Sequence, residues 1–264
     1  MLSYQHLYHA GNNADCHKHA LLAALIEALK KDAAPFLYVD THSGRGLYDL
    51  RGKETKKLQE HKSGIDRLWS YPEWPREAYP YRRVLDSLNK KGAPITHYPG
   101  SPWIAEATRR GQDQMMLYEL HPQEYLALQN NMGRLNGIQI KKESGWKIVW
   151  QKRMTAFERG LILIDPSFEM KEDYVQLPKL IDTILEHCPN FIVALWYPIL
   201  STPRHDEMIE NLEKMTVPYR KSEIIFSPKK QGMIGSGMFV FNPPSGFTGT
   251  EKNIVAWLQK ALTV

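Results

Sequence analysis

The sequence predicts an α/β fold: a doubly wound, mostly parallel sheet of seven strands, with an antiparallel hairpin at one edge and a small helical insertion. Three observations carry this reading. Short apolar runs alternate with stretches of helical periodicity through most of the chain, the pattern of strands joined by crossover helices. The most apolar run, Gly160-Leu-Ile-Leu-Ile-Asp165, is too short for a core helix and fits a strand buried on both faces. Near the end, 219–227 and 236–241 both read as strands with no helix between them, which makes them an antiparallel pair.

The first helix is expected over 14–31. Leu21, Leu22, Leu25, Ile26 and Leu29 make one apolar face, and Asp15 suits the positive end of the helix dipole. Beyond Pro35, residues 36–40 (Phe-Leu-Tyr-Val-Asp) read as a buried strand, followed by the turn Thr41-His-Ser-Gly-Arg-Gly46. Residues 48–97 change character: they are charged, contain Trp and Pro, and hold no strong strand. Helical stretches at 54–69 and 77–91 make them an inserted helical subdomain, leaving 1–47 and 98–264 as the main domain. Alternation resumes with strand 114–120, a helix over 122–135 with Pro122 in its first turn, and strand 138–142. A helical stretch at 145–154, strand 160–165, helix 173–187, strand 190–196, helix 203–215, the hairpin and helix 250–262 complete the chain.

Of 264 residues, 42% are hydrophobic and 24% charged, which supports a sizeable core and argues against disorder. No apolar run approaches the roughly 18 residues of a membrane span, and Met1–His19 lacks the basic and apolar regions of a signal peptide. The two cysteines, Cys16 and Cys188, make neither a disulfide framework nor a Cys-based zinc site, so a reducing cytoplasm is the expected setting. A net charge of +5 favours a polyanionic partner only mildly. Basic residues recur in pairs: Lys56–Lys57, Arg82–Arg83, Lys90–Lys91, Arg109–Arg110, Lys141–Lys142, Lys152–Arg153 and Lys229–Lys230. Taken singly, each pair reads as solvated surface.

In a doubly wound sheet, ligands bind beyond the carboxyl ends of the strands, near the switch in strand order. The turn Asp40-Thr-His-Ser-Gly44-Arg-Gly46 sits at such an end, and its glycines let a cofactor approach the backbone. It lacks the third glycine of the dinucleotide fingerprint, and an ordinary tight turn explains it equally well. Glu119, ending the second strand, is where such folds hold ribose hydroxyls; a surface carboxylate is the competing reading. Ser144-Gly145, after the third strand, could flank an adenine ring.

The most informative segment is Asp165-Pro166-Ser167-Phe168, directly after the most apolar strand. It resembles the Asp/Asn-Pro-Pro-aromatic motif of amino-methyltransferases. The N6 lone pair of adenine is delocalised into its ring and attacks poorly. A carboxylate and the Pro166 carbonyl can accept hydrogen bonds from the NH2 group, localise that lone pair and receive the proton. Phe168 would stack on the flipped-out base. A Pro-containing turn closing a core strand is the bland alternative. Asn242-Pro-Pro-Ser245 matches the first three positions better, but it has no aromatic residue and leaves too little chain for the strands that must follow. It reads as a structural turn. At the N-terminus, His9 and His17 are the nearest thing to a zinc pair, yet nothing there has a recognised zinc spacing. The segment is expected to cap an active site, without metal.

Several segments then resemble one family in order along nearly the full length. Met1-Leu-Ser-Tyr-Gln-His6, His9-Ala-Gly-Asn, Ala14-Asp15 and Lys18-His19 resemble the opening of the RlmJ family. So do Asp40-Thr-His-Ser-Gly44, Tyr98-Pro-Gly-Ser-Pro102, Glu119-Leu-His-Pro122, Leu161-Ile-Leu-Ile-Asp-Pro166, Ala194-Leu-Trp-Tyr-Pro198 and Ser236-Gly-Met238. Members are class I methyltransferases, Rossmann-like, with a small helical insertion, and make N6-methyladenosine in 23S ribosomal RNA using S-adenosyl-L-methionine. The resemblance implies that His19, His42, Ser101, Glu119, Ser144, Gly145 and Asp165 line the cofactor site, beside Gly44 of the glycine turn. It makes Asp165 the catalytic carboxylate and brings Tyr4 to the substrate base, with His6 and Lys18 nearby, beside the catalytic Pro166 carbonyl and the base-stacking Phe168 that the motif supplies. Two positions depart from the family: Asp-Pro-Ser-Phe replaces Asp-Pro-Pro-Tyr, and Ser144 stands where an acid is common. Ser167 frees φ and Ser144 weakens a hydrogen bond to the cofactor's adenine amine.

The expected activity is therefore N6-methylation of one adenosine in 23S ribosomal RNA by a cytoplasmic monomer. The rival is a non-catalytic RNA-binding module with a degenerate methyltransferase site, which cofactor binding without product would reveal. A nicotinamide oxidoreductase is a distant third, disfavoured by the missing glycine and the absence of a Tyr-x-x-x-Lys pair.

Overall fold

The computed structural model describes residues 6–150, 154–226 and 232–262. In chain order the helices are α1 (Asn13–Leu29), α2 (Thr55–Leu58), α3 (Ile65–Ser70), α4 (Tyr79–Leu88), α5 (Ser101–Thr108), α6 (Pro122–Met132), α7 (Lys171–His187), α8 (Asp206–Glu213) and α9 (Phe247–Leu262). The strands are β1 (Leu37–Asp40), β2 (Leu47–Asp49), β3 (His97–Pro99), β4 (Gln114–Tyr118), β5 (Ile138–Lys141), β6 (Gly160–Ile164), β7 (Phe191–Leu200), β8 (Tyr219–Ile225) and β9 (Met233–Phe241).

Seven of these strands form one sheet in the order β5-β4-β1-β6-β7-β9-β8. The first five are parallel, and β9 runs antiparallel between β7 and β8. The chain builds outward from β1 to β4 and β5, then crosses back to β6 and builds the other way. The switch in strand order thus lies between β1 and β6, and a ligand cleft is expected at their carboxyl ends. Both strands are buried along their whole length, because helices cover both faces. Alternate residues feed opposite layers: Tyr38, Leu161 and Leu163 pack with α1 and α9, while Leu37, Val39, Ile162 and Ile164 pack with α7 and α8.

α1 does not present one apolar face, as its periodicity suggested. It is buried nearly all round, including Asp15, His17, Lys18 and His19. The cause is the 48–97 segment, whose Ile65, Leu68, Tyr81 and Leu85 share a core cluster with α1 and α9. Two pins hold it there: the Gly11 carbonyl accepts from Ile65 N at 2.8 Å, and the Trp257 indole donates to the Glu73 carbonyl at 2.9 Å. A Cβ on Gly64 would meet the Gly11 carbonyl oxygen at 2.2 Å, so only glycine permits that approach.

Four elements differ from the sequence reading. The expected helix 54–69 breaks at Gln59, whose φ is +54°, into α2, a 3-10 turn and α3. The 48–97 segment is bracketed by an antiparallel β2–β3 ribbon that no alternating pattern announced, since each strand has three residues. α5 was not anticipated; Pro102 occupies its first turn. The helical stretch 145–154 is 3-10 over Gly145–Trp150, with 151–153 outside the described residues.

Candidate active site

A cleft of about 740 Å³ opens at the carboxyl ends of β1, β4, β6 and β7, within the roughly 300–1,000 Å³ of ligand pockets. Its first wall is the turn after β1. Gly44 and Gly46 adopt φ of +60° and +76°, which favour glycine. Thr41 N donates to the Leu163 carbonyl and Ser43 N to that of Tyr118, so the turn is pinned to β6 on one side and β4 on the other. Glu119, just past β4, closes the same wall. Its carboxylate accepts from Gly44 N at 2.8 Å and from His121 N at 2.7 Å. Burial pushes its pKa up to about 7, and those two amides oppose the rise. Gly145 lies so close to β1 that a Cβ would sit 2.1 Å from the Thr41 carbonyl oxygen. Ser144 Oγ faces Trp146 N at 3.4 Å. His42 lies edge-on to Trp146, and burial lowers its pKa to about 4, leaving it neutral.

Beneath this wall, Asp40 is fully buried. It accepts from the Tyr38 hydroxyl at 2.8 Å and from the Ser101 side chain; burial raises it to about 6. Ser101 heads α5 and also reaches the cleft. The His19 ring nitrogen lies 2.7 Å from the Tyr98 hydroxyl, and burial depresses its basicity well below the usual range.

The opposite wall is Asp165–Phe168. Asp165 extends from the end of β6 into the cleft, and its Oδ2 accepts from Lys18 Nζ at 2.5 Å. Phe168 has a φ of +54°, a conformation a bulky side chain seldom adopts. Its ring is wedged against Tyr174 at 4.9 Å and Trp196 at 5.9 Å, which overdetermines the strained backbone.

The N-terminal part of α1 closes the floor. Lys18 is buried between two carboxylates, 3.0 Å from Asp15 as well as 2.5 Å from Asp165. Burial alone would lower its pKa; the two carboxylates more than reverse that and hold it as an ammonium. Asp15 is 1% exposed and also takes Gly11 N at 2.9 Å and the His6 ring at 2.8 Å. Burial opposes its ionisation, but His6, Lys18 and His19 pull its pKa well below the carboxylate range.

All the anticipated site residues that are described line this cleft; Tyr4 lies outside the described residues. His17 does not line it. It is buried between Ser236 and Ser222 at 2.9 and 2.8 Å, neutral with a pKa lowered to about 3 by burial, and has no ring nitrogen to spare for a metal. Asn242-Pro243-Pro244 ends β9 at the far end of the sheet, where the Asn242 amide donates to the Pro189 and Phe191 carbonyls. It is the structural turn the sequence suggested. Three contributors went unnoticed: Asp15 as the buried anchor, and Tyr174 and Trp196 as the rings behind Phe168. An acid followed at i+3 and i+4 by Lys18 and His19 was the available signal for the first.

A family model described as "Ribosomal RNA large subunit methyltransferase D, RlmJ" matches residues 33–264. The chain belongs to the RlmJ family. Two curated relatives, from Escherichia coli and Haemophilus influenzae, are both named ribosomal RNA large subunit methyltransferase J. Each is 37% identical over 265 residues, covering 99% of this chain and 94% of its own length. A crystal structure of a Legionella pneumophila protein is 30% identical and superposes with a TM-score of 0.88, covering 96% of this chain and 94% of that one. The RlmJ family model begins after α1, but the relatives' alignments take in nearly all of the earlier residues, where the Asp15–Lys18 pair lies. The sheet order is that of the class I methyltransferase fold, α/β and Rossmann-like.

Proposed function

We propose that this chain transfers the methyl group of S-adenosyl-L-methionine to N6 of an adenosine in 23S ribosomal RNA. The carrying observation is Asp165, at the end of β6, in a cleft whose other wall is a glycine turn tied to Glu119, in a chain of the RlmJ family.

The residues present fit the cofactor. Glu119 keeps acceptor capacity for ribose hydroxyls while two amides fix its direction. Gly145 gives a backbone surface without a side chain, beside His42, Trp146 and Ser144, suited to a flat adenine. Gly44, Ser101, His19 and Asp165 line the remaining length, where a methionine moiety would lie. The cofactor supplies an electrophilic methyl group. Lys18 holds Asp165 through Oδ2, which leaves Oδ1 to accept from the incoming amine. With the Pro166 carbonyl, it accepts from the NH2 group, localises the lone pair and orients it for attack. Phe168 offers its face to the base, and Tyr174 and Trp196 keep it in place. His6, held by Asp15, borders the same cleft.

The basic pairs divide by their surroundings. Arg82 and Arg83 are engaged by Asp86 and Glu27, and Arg109 and Arg110 by Glu106 and Asp113. Lys56 and Lys57 are exposed on α2, Lys57 lying 5.4 Å from the Tyr8 ring, and Glu60 a few residues on lines the cleft. The two lysines are the insertion's phosphate contacts in this reading, with salt-dependent affinity. Lys152–Arg153 and Lys229–Lys230 lie outside the described residues. The 48–97 segment then acts as an RNA-guiding subdomain on the 1–47 and 98–264 domain. In this reading the chain works in the cytoplasm as a monomer, and the described residues assigned to the cleft all come from one copy. Among the described residues no helix is long and apolar enough to cross a membrane, and no group of three or more His, Cys, Asp or Glu could hold a metal.

Asp165→Ala tests the mechanism. Turnover with labelled cofactor should fall about a thousandfold or more, while the circular dichroism spectrum stays that of the parent, because Asp15 still neutralises Lys18. Activity within tenfold of the parent would remove Asp165 from the chemistry.

A further inference from the structure

Beside the cleft, a second hollow of about 280 Å³ opens between α7 and α8. Tyr174 and Arg204 line both, so the hollow adjoins the cleft. Tyr174 is the ring packed on Phe168, which puts the hollow one aromatic ring away from where the target base would stack. Arg204 and Lys171 are exposed at its rim, and among the described residues neither is paired with a carboxylate. Glu207 is the single acid among its lining, against these two cations; Asp173 and Glu169 face the cleft side. Val175 and Met170, 59% and 58% exposed, add apolar surface alongside. Unpaired cations next to exposed apolar surface suit a nucleotide, which brings a phosphate and a stacking face together.

We propose that this hollow is a subsite for the nucleotide adjacent to the target adenosine on a single RNA strand. Its phosphate sits on Arg204 and Lys171, and its base rests against Tyr174 and Val175. The acids on the cleft side turn the phosphate outward to the two cations. The assignment rests on the methyl-transfer reading of the cleft, because it supposes that the strand enters there.

The test is binding of a fluorescently labelled, adenosine-centred single-stranded RNA, titrated against salt, with methyl transfer to 23S ribosomal RNA scored separately. Arg204→Glu should weaken binding about tenfold or more, and Arg204→Ala should lower the salt slope by about one. Lys260→Ala, on the remote α9, should change neither, and the cofactor Kd should stay within twofold in all three. Arg204 variants that bind as the parent does, or a Lys260→Ala loss equal to theirs, would overturn the subsite. Arg204-dependent binding without any methyl transfer by the parent supports the subsite and refutes the enzymatic reading. Methyl transfer by Arg204→Glu at the parental KM refutes the subsite and leaves the enzymatic reading standing.

Discussion

Asp15 and Asp165 share the ammonium of Lys18, and that sharing decides what each group can do. Asp15 is sealed by Gly11 N, the His6 ring and Lys18, so it cannot reach a substrate. Among the described residues Asp165 is tied through Oδ2 only, which in the proposed mechanism leaves its other oxygen to accept from the base. Glu119 is a different case, a carboxylate made reluctant to ionise by burial. Ribose hydroxyls need the ionised form as an acceptor, so cofactor affinity should follow its titration. Between about pH 6 and about pH 8 the Kd for S-adenosylmethionine should tighten by up to about tenfold, as Glu119 ionises around its pKa of about 7. Calorimetric titration at several pH values would show it, and Glu119→Gln should bind more weakly with a flat profile. The folded value lies above the unfolded one, so Glu119 withdraws stability as pH rises from about 4.5 through 7. An equally steep profile in Glu119→Gln would assign the pH effect to another group.

Single elements show how packing overrides local pattern. α1 reads as amphipathic, but helices of the 48–97 segment cover its other side, and its polar residues become buried machinery. His17 illustrates the consequence. It bridges α1 to β8 and β9 through Ser222 and Ser236 as a neutral imidazole. Its folded pKa, about 3, is below the unfolded 6.5, so its contribution is present above about pH 6.5 and is lost as pH falls towards 3. His17→Gln can keep both hydroxyl contacts without titrating. The drop in Tm between about pH 7 and about pH 5 should be smaller in that variant by roughly 2–5 °C; an identical drop would exclude His17 as a source of acid sensitivity. The loop entering at Gly145 offers a second test. Gly145→Ala forces a shift against the Thr41 carbonyl, an overpacking strain of about 1–3 kcal/mol. Cofactor affinity should fall about tenfold or more by fluorescence titration, with the secondary structure unchanged; parental affinity would show that the loop does not touch the cofactor.

For the whole molecule, the seven strands of the main sheet and its antiparallel edge were legible and short-range detail was not. The buried runs at 36–40 and 160–165 had clear signals, because burial on two faces demands continuous apolar residues, and the final hairpin showed as two strands with no helix between them. The three-residue strands β2 and β3 are too short to show a period, and the left-handed Gln59 interrupts what composition presents as one helix. The site was legible wherever a residue follows a strand, as with Asp165, Glu119 and the glycine turn. Asp15, Tyr174 and Trp196 were not, because their roles depend on long-range packing: Asp15 and Asp165 are 150 positions apart in sequence yet share one lysine. The switch between β1 and β6 gathers these groups into one cleft, and that cleft carries the central claim. The most direct measurement is to incubate the protein with labelled S-adenosylmethionine and protein-free 23S ribosomal RNA from cells lacking the enzyme, then identify the modified nucleoside by mass spectrometry. We expect N6-methyladenosine with the parent and none with Asp165→Ala. Bound cofactor with no methylated nucleoside, or a methyl group on any atom other than adenine N6, would contradict it.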